Sequence, residues 1–168
     1  MKKKGFTLIE VILVVTILGI LAAVVLPTFS DQTAVAKEAA AKSNLMTIRS
    51  QIELYKLQHN GFPPGYLNSA LTSDLNLLES QFIGTSAVTG QAIAGTVPSS
   101  PFLYGPYLKK IPKNPFNNKS NIAIVLQATA FSSAVNGTSS GWLYKRETGE
   151  FVINWTGTDH EGVAFYNY

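Results

Sequence analysis

A single carboxylate, Glu10, stands inside a long apolar run. From Phe6 to Phe29 it is the only charged side chain. Wound as a helix, the run spans ~36 Å at ~1.5 Å per residue, enough to cross a bilayer core of ~30 Å. A charge in such a segment costs roughly 3 kcal/mol at mid-membrane and less near an end, so an ionisable residue there calls for a partner. The nearest candidate is an amine. A cut after Gly5 would give Phe6 a free α-amino group four residues from Glu10, and residues four apart on a helix are neighbours.

Elsewhere the chain is poor in groups that do covalent chemistry. It has two histidines, His59 and His160, far apart in sequence, and no nucleophile elbow, phosphate loop or HExxH motif. His59 falls at a predicted helix end, where an imidazole caps carbonyls. The aromatic residues Trp142, Tyr144, Phe151, Trp155, Phe165, Tyr166 and Tyr168 alternate along predicted strands, which points to core packing rather than a ligand platform. This pattern argues against an enzyme. With no cysteine, disulfides, thiolate metal sites and cysteine nucleophiles are excluded.

The net charge of the 168-residue chain is +3, from 13 Lys and Arg against 10 Asp and Glu. Three of the basic residues are Lys2, Lys3 and Lys4. Without them 10 basic groups face 10 acidic ones, so the body is neutral and offers no nucleic-acid surface. The lysines read as a cytoplasmic anchor under the positive-inside rule, with the body across the membrane. A cleaved secretory signal fits less well. The apolar run is too long, Glu10 interrupts it, and no small-x-small site follows it closely; Ala34-Val35-Ala36 fits the pattern but lies in a polar helical stretch.

These groups need elements to hold them. Ala41, Leu45, Ile48, Ile52 and Tyr55 recur at helical spacing and predict an amphipathic helix with one apolar stripe. Asn60-Gly61 supplies the stop and Pro63-Pro64 blocks resumption. Residues 6–59 thus read as one near-continuous helix of ~80 Å, apolar all round in its first half and one-sided in its second. Pro27 should kink it, and Gly19 weakens it by roughly 1 kcal/mol relative to alanine. Either the two let the helix stretch on assembly, or they are simply the Gly and Pro common in membrane helices.

Beyond it, Thr72-Ser73-Asp74 caps a short helix through Leu78, and 84–106 reads as an irregular loop. Strands are predicted at 122–126, at 142–146 and 151–155 as a hairpin around Thr148-Gly149, and at 163–166. The expected class is α+β: a long N-terminal helix packed on a C-terminal antiparallel sheet of three or four strands. The organisation follows as 1–5, a leader; 6–29, the membrane and assembly half of the helix; 30–60, its amphipathic half; 61–121, a connecting region; and 122–168, the sheet and C-terminal loop.

The start, Lys2-Lys3-Lys4-Gly5-Phe6-Thr7-Leu8-Ile9-Glu10-Val11, resembles the leader of type IV pilins and of type II secretion pseudopilins, and most resembles the major pseudopilins. The resemblance implies that a prepilin peptidase cuts between Gly5 and Phe6 and N-methylates Phe6. It implies that Thr7, Glu10, Gly19 and Pro27 serve assembly, and that the partners are like subunits, an inner-membrane assembly platform and, before assembly, the lipid bilayer. In such a filament Glu10 would meet the amine of its own subunit or of the next. Breaking a buried pair leaves an unpaired charge, so Glu10 would fix the axial register.

Tyr55-Lys56-Leu57-Gln58-His59-Asn60-Gly61-Phe62-Pro63 resembles the family's helix exit. Tyr107-Leu108-Lys109-Lys110-Ile111-Pro112-Lys113-Asn114-Pro115-Phe116 is similar to a pseudopilin segment. Thr156-Gly157-Thr158-Asp159-His160-Glu161-Gly162 resembles the calcium loop of major pseudopilins, with His160 in place of a glycine. Calcium takes six to eight oxygens; Asp159 and Glu161 would give two carboxylates, and backbone carbonyls more. The alternative is an ordinary polar turn between strands, with no cofactor. The implied function is a filament subunit: a periplasmic pseudopilus driving protein export, or an extracellular pilus for adhesion, motility or DNA uptake. From the residues alone, a membrane-tethered binding module that never polymerises remains the rival.

Overall fold

The structure is a computed structural model that describes residues 5–168, with the side chains of 24–31 outside the description. The chain divides into two units, Met1–Lys37 and Glu38–Tyr168.

Helix α1 runs over Leu8–Gln58. Its first turn is closed by Thr7 and Glu10, described below. Its last turn is closed by Gly61, whose N–H reaches back to the Lys56 carbonyl at 2.8 Å. That six-residue closure needs a left-handed residue just past the helix, and Asn60 supplies it with φ 55°.

In the second unit the stripe read from the sequence is the core. Ala41, Leu45, Ile48, Ile52 and Tyr55 are all buried. The first four pack with Leu78 and Phe82 of α2 (Leu75–Ile83) and with Trp142, Tyr144, Phe151, Ile153 and Phe165, and Tyr55 packs on His59 and Tyr107. Asp74 caps α2, its side chain accepting from the N–H groups of Asn76 and Leu77 at 2.9 and 3.2 Å. The cap is where the sequence put it. The helix runs past Leu78 to Ile83 because Phe82 carries its apolar face one turn further into the core.

The main sheet has three strands in the order β5 (Ile122–Ile124), β6 (Trp142–Lys145), β7 (Glu150–Ile153). Successive side chains point to opposite faces. Trp142, Tyr144, Phe151 and Ile153 therefore face α1, while Leu143 and Val152 face a second cluster with Val125, Phe131 and Tyr166. The β6–β7 hairpin turns at Gly149, as expected, with φ 82°.

Two expectations for this region are corrected. β5 pairs with β6 in parallel, not antiparallel, in the register Ile122↔Trp142. Parallel neighbours require a crossover, and residues 125–141, carrying the short helix α3 (Phe131–Ala134), provide it. The predicted strand at 163–166 is instead one bridge, Thr158↔Ala164, followed by a 3-10 turn at Phe165–Asn167.

The 84–106 segment is not wholly irregular. It holds the antiparallel pair β3 (Thr85–Ser86) and β4 (Ala92–Ile93), and a bridge Ser86↔Tyr104. A further pair, β1 (Tyr66–Leu67) with β2 (Ala70–Leu71), precedes α2. Gln81, fully buried on α2, ties these loops together. Its amide accepts from Gly65 N–H and donates to the Tyr66 and Gly90 carbonyls at 2.8 and 2.6 Å.

Candidate processing and assembly site

The residues of the proposed junction, Gly5, Phe6 and Thr7, precede α1 and are exposed. Thr7 and Glu10 form a capping box. Glu10 Oε2 accepts from the Thr7 backbone N–H at 2.9 Å and from its hydroxyl at 2.7 Å. The Glu10 N–H in turn points to Thr7 Oγ1 at 3.4 Å. A helix start leaves four N–H groups without intrahelical partners; this reciprocal pattern gives a carboxylate to the N–H of Thr7 and a hydroxyl to that of Glu10.

The expected pairing of a Phe6 amine with Glu10 belongs to the cut chain. An intrahelical Phe6–Glu10 neighbourhood requires Phe6 to be helical, but α1 begins at Leu8. In the uncut chain Glu10 is held by Thr7 instead. The signal was present in Thr7-Leu8-Ile9-Glu10, which has the S/T-x-x-E spacing of a capping box.

Gly19 lies within α1 with open space where a side chain would be. Lys2, Lys3 and Lys4 lie outside the described residues, as does the side chain of Pro27. Among the described residues no helix is long and apolar enough to cross a membrane. The stretch of α1 described in full before that gap, 8–23, is ~24 Å long, shorter than a ~30 Å bilayer core.

The C-terminal loop is tied to the same helix further along. Glu38 and Lys42, one turn apart on α1, pair at 2.8 Å. Lys42 Nζ also reaches Asp159 Oδ2 at 3.1 Å and lies 4.0 Å from the centre of the Tyr168 ring. The Tyr168 hydroxyl donates to Asp159 Oδ2, and Arg49 donates to the Tyr168 carbonyl. Asp159 Oδ1 accepts from the N–H groups of Glu161 and Val163 at 2.9 and 2.8 Å. His160 turns its Nδ1 to Glu38 Oε1 at 2.9 Å.

Glu161 does not join Asp159. Its side chain is 69% exposed while that of Asp159 is fully covered. The acidic partner of the loop is Glu38, 121 positions before Asp159 in sequence, which no local pattern reveals. Burial pushes the Asp159 carboxyl up, but the Val163 N–H, Lys42 and the Glu161 N–H outweigh it and leave it below its ordinary value. The hydrogen bond from Lys42 likewise holds Glu38 low, and the bond to Glu38 raises Lys42.

His59 is buried at the end of α1 and meets a carbonyl as expected, its Nδ1 2.8 Å from the Tyr55 oxygen. Its Nε2 lies 3.0 Å from Ser86 Oγ, and its ring stacks on Tyr55 with centroids 3.6 Å apart.

Residues 1–26 match the family described as the prokaryotic N-terminal methylation motif. The chain is 30% identical over 117 residues to the type II secretion system core protein G of Aeromonas hydrophila, covering 70% of each chain. It is 31% identical over 121 residues to the protein of the same description from Vibrio cholerae, covering 70% of this chain and 68% of that one. With the type IV major pilin PilE1 of Neisseria gonorrhoeae it shares 33% over 98 residues, 58% of this chain and 54% of the pilin.

The chain belongs to the type IV pilin and type II secretion pseudopilin family. No solved structure matches. In this chain Gly5 and Phe6 lie in exposed, non-helical backbone, and Glu10, the only charge near the start of α1, is held by its own cap.

Proposed function

We propose that this chain is a structural subunit of a type IV-like filament. A prepilin peptidase cuts it between Gly5 and Phe6 and N-methylates Phe6, and it polymerises through α1. The observation that carries the reading is the Gly5–Phe6 junction, set in exposed chain directly ahead of an apolar helix and lying within the matched methylation motif. Before assembly the apolar run 6–29 lies in the inner membrane, with Lys2–Lys4 on the cytoplasmic side and 38–168 beyond the opposite face. Its work is mechanical rather than catalytic, and the assembly platform and neighbouring subunits are its partners.

The filament is a type II secretion pseudopilus. The core protein G relatives of Aeromonas hydrophila and Vibrio cholerae, matched over 70% and 68% of their length, favour this over the pilus reading, which rests on the shorter match to PilE1. The intact mass of the protein from membranes of cells expressing the cognate peptidase tests the processing. Loss of Met1 to Gly5 plus one methyl group is expected; an uncut chain, or one cut near Ala36, returns the tethered binding module. Glu10→Ala is expected to be cut normally yet to yield no filaments by electron microscopy, and normal filaments from it would remove Glu10 from assembly.

A further inference from the structure

The family's calcium loop gives a concrete standard for the Asp159 loop. Calcium takes six to eight oxygen ligands. A carboxylate offers about four lone-pair sites, and those of Asp159 already have four donors: the Glu161 and Val163 N–H groups, the Lys42 ammonium and the Tyr168 hydroxyl. Glu161 turns to solvent. The Gly157, Asp159 and Val163 carbonyls already accept the Phe165, Gly162 and Asp159 N–H groups. Three side chains, Glu38, Asp159 and His160, do bring ligand atoms within 4.8 Å of one another. One of them is an imidazole, a ligand for transition metals rather than calcium. The residues present do not fit calcium.

A positive charge is nevertheless there. Lys42 Nζ stands 2.8 Å from Glu38 Oε1 and 3.1 Å from Asp159 Oδ2, the place of a cation bridging the two carboxylates. A second, divalent cation at that point would face an ammonium at contact distance, where like charges repel strongly. The Tyr168 ring covers the ammonium, a placement that favours a cation held near the face of an aromatic.

We infer that Lys42 is the built-in counter-ion of this loop: an ammonium from α1 bridges the Glu38 and Asp159 carboxylates, and the C-terminal loop is held to the helix without metal. The clamp joins Glu38 and Lys42 on α1 to Asp159, His160 and Tyr168 at the chain's end. It stands apart from the filament reading, because it concerns how the subunit is locked and not whether it polymerises.

Thermal unfolding of the full chain in detergent, followed by circular dichroism with chelator and then with millimolar calcium chloride, tests it. The wild-type chain is expected to melt at the same temperature in both. Lys42→Met is expected to lower that temperature by about 3–6 °C. Lys42→Arg, which keeps the charge, should retain most of the stability. A saturable rise of the wild-type melting temperature with calcium overturns the inference without any variant. So does Lys42→Met melting with the wild type, or Lys42→Arg losing as much as Lys42→Met. Should Lys42→Met fail to fold, the calcium titration and Lys42→Arg still decide.

Discussion

The two halves of α1 differ in how their apolar residues are arranged, and their side chains meet opposite fates. In the first, every described side chain from Gly5 to Ala23 is exposed, Ile12 at 53%. In the second, every third or fourth residue is buried, Ile48 to 1%. A helix apolar all round has no face to give to water, whereas a one-sided helix finishes its own core. The described side chains of the first half therefore gain no stability from burial within the chain. The second half owes its stability to the sheet that covers its stripe.

The sharpest break of that comparison is a matched pair of truncations. Ile48→Ala removes a fully buried branched side chain from the centre of the stripe and should cost about 2–5 kcal/mol, read as a lower denaturation midpoint for the full chain in detergent. Ile12→Ala, the same change on the same helix, should move that midpoint by no more than about 0.5 kcal/mol. Equal effects would mean that the two halves are stabilised alike. Next comes Asn154, fully buried at the end of β7. Its Oδ1 accepts from the Asn136 and Gly137 N–H groups at 2.9 and 3.0 Å, and its amide donates to the Ser140 carbonyl at 3.0 Å. Asn154→Leu orphans these groups and should cost about 2–3 kcal/mol, with an unchanged midpoint as the contrary result.

These cases mark what the sequence could disclose. The Leu45–Ile48–Ile52–Tyr55 stripe, the Asp74 cap, the Asn60 stop and the Gly149 hairpin are local patterns, each visible within one or two turns of chain. The parallel partnership of Ile122–Ile124 is not local, since the crossover between β5 and β6 has no periodic signature. Nor is the network joining Asn114, Asn117, Asn136 and Asn154, whose side-chain bonds reach as far as 40 positions along the chain. The Lys42 clamp was half legible: Glu38 and Lys42 have the spacing of a helical ion pair, but Asp159 lies 117 positions away. The Thr7–Glu10 box was fully legible, since Thr7-Leu8-Ile9-Glu10 has the S/T-x-x-E spacing.

Acid should separate the halves again, because the groups described with shifted proton affinity outside the apolar run sit in the second unit. Burial lowers the pKa of His59, and no charged side chain contacts its ring or nitrogens among the described contacts with Tyr55, Ser86, Tyr104 and Tyr107. The unfolded chain then takes up a proton that the folded chain refuses, so stability falls as pH drops below about 6.5, the ordinary histidine value. Glu38 and Asp159 are held low; their contribution is full above the ordinary carboxylate range and is lost as pH falls through their folded values. Melting temperature against pH should decline in two stages, and His59→Gln should remove the upper one. A single stage in the wild-type chain would show that burial of His59 is not felt.

The smallest effect probes the capping box at the start of the first half. Thr7→Val keeps the shape of the side chain and removes the hydroxyl, deleting the 2.7 Å bond to Glu10 and the acceptor facing the Glu10 N–H. Loss of a helix cap costs about 1 kcal/mol, but here it acts on a helix end remote in sequence from the buried core, so global melting should not move. Amide exchange at Glu10 should quicken about fivefold, the equivalent of that energy, while exchange along the Leu45–Tyr55 stripe stays as it was. Unchanged protection at Glu10 would mean that the surroundings of the apolar run, not its capping box, hold the first turn.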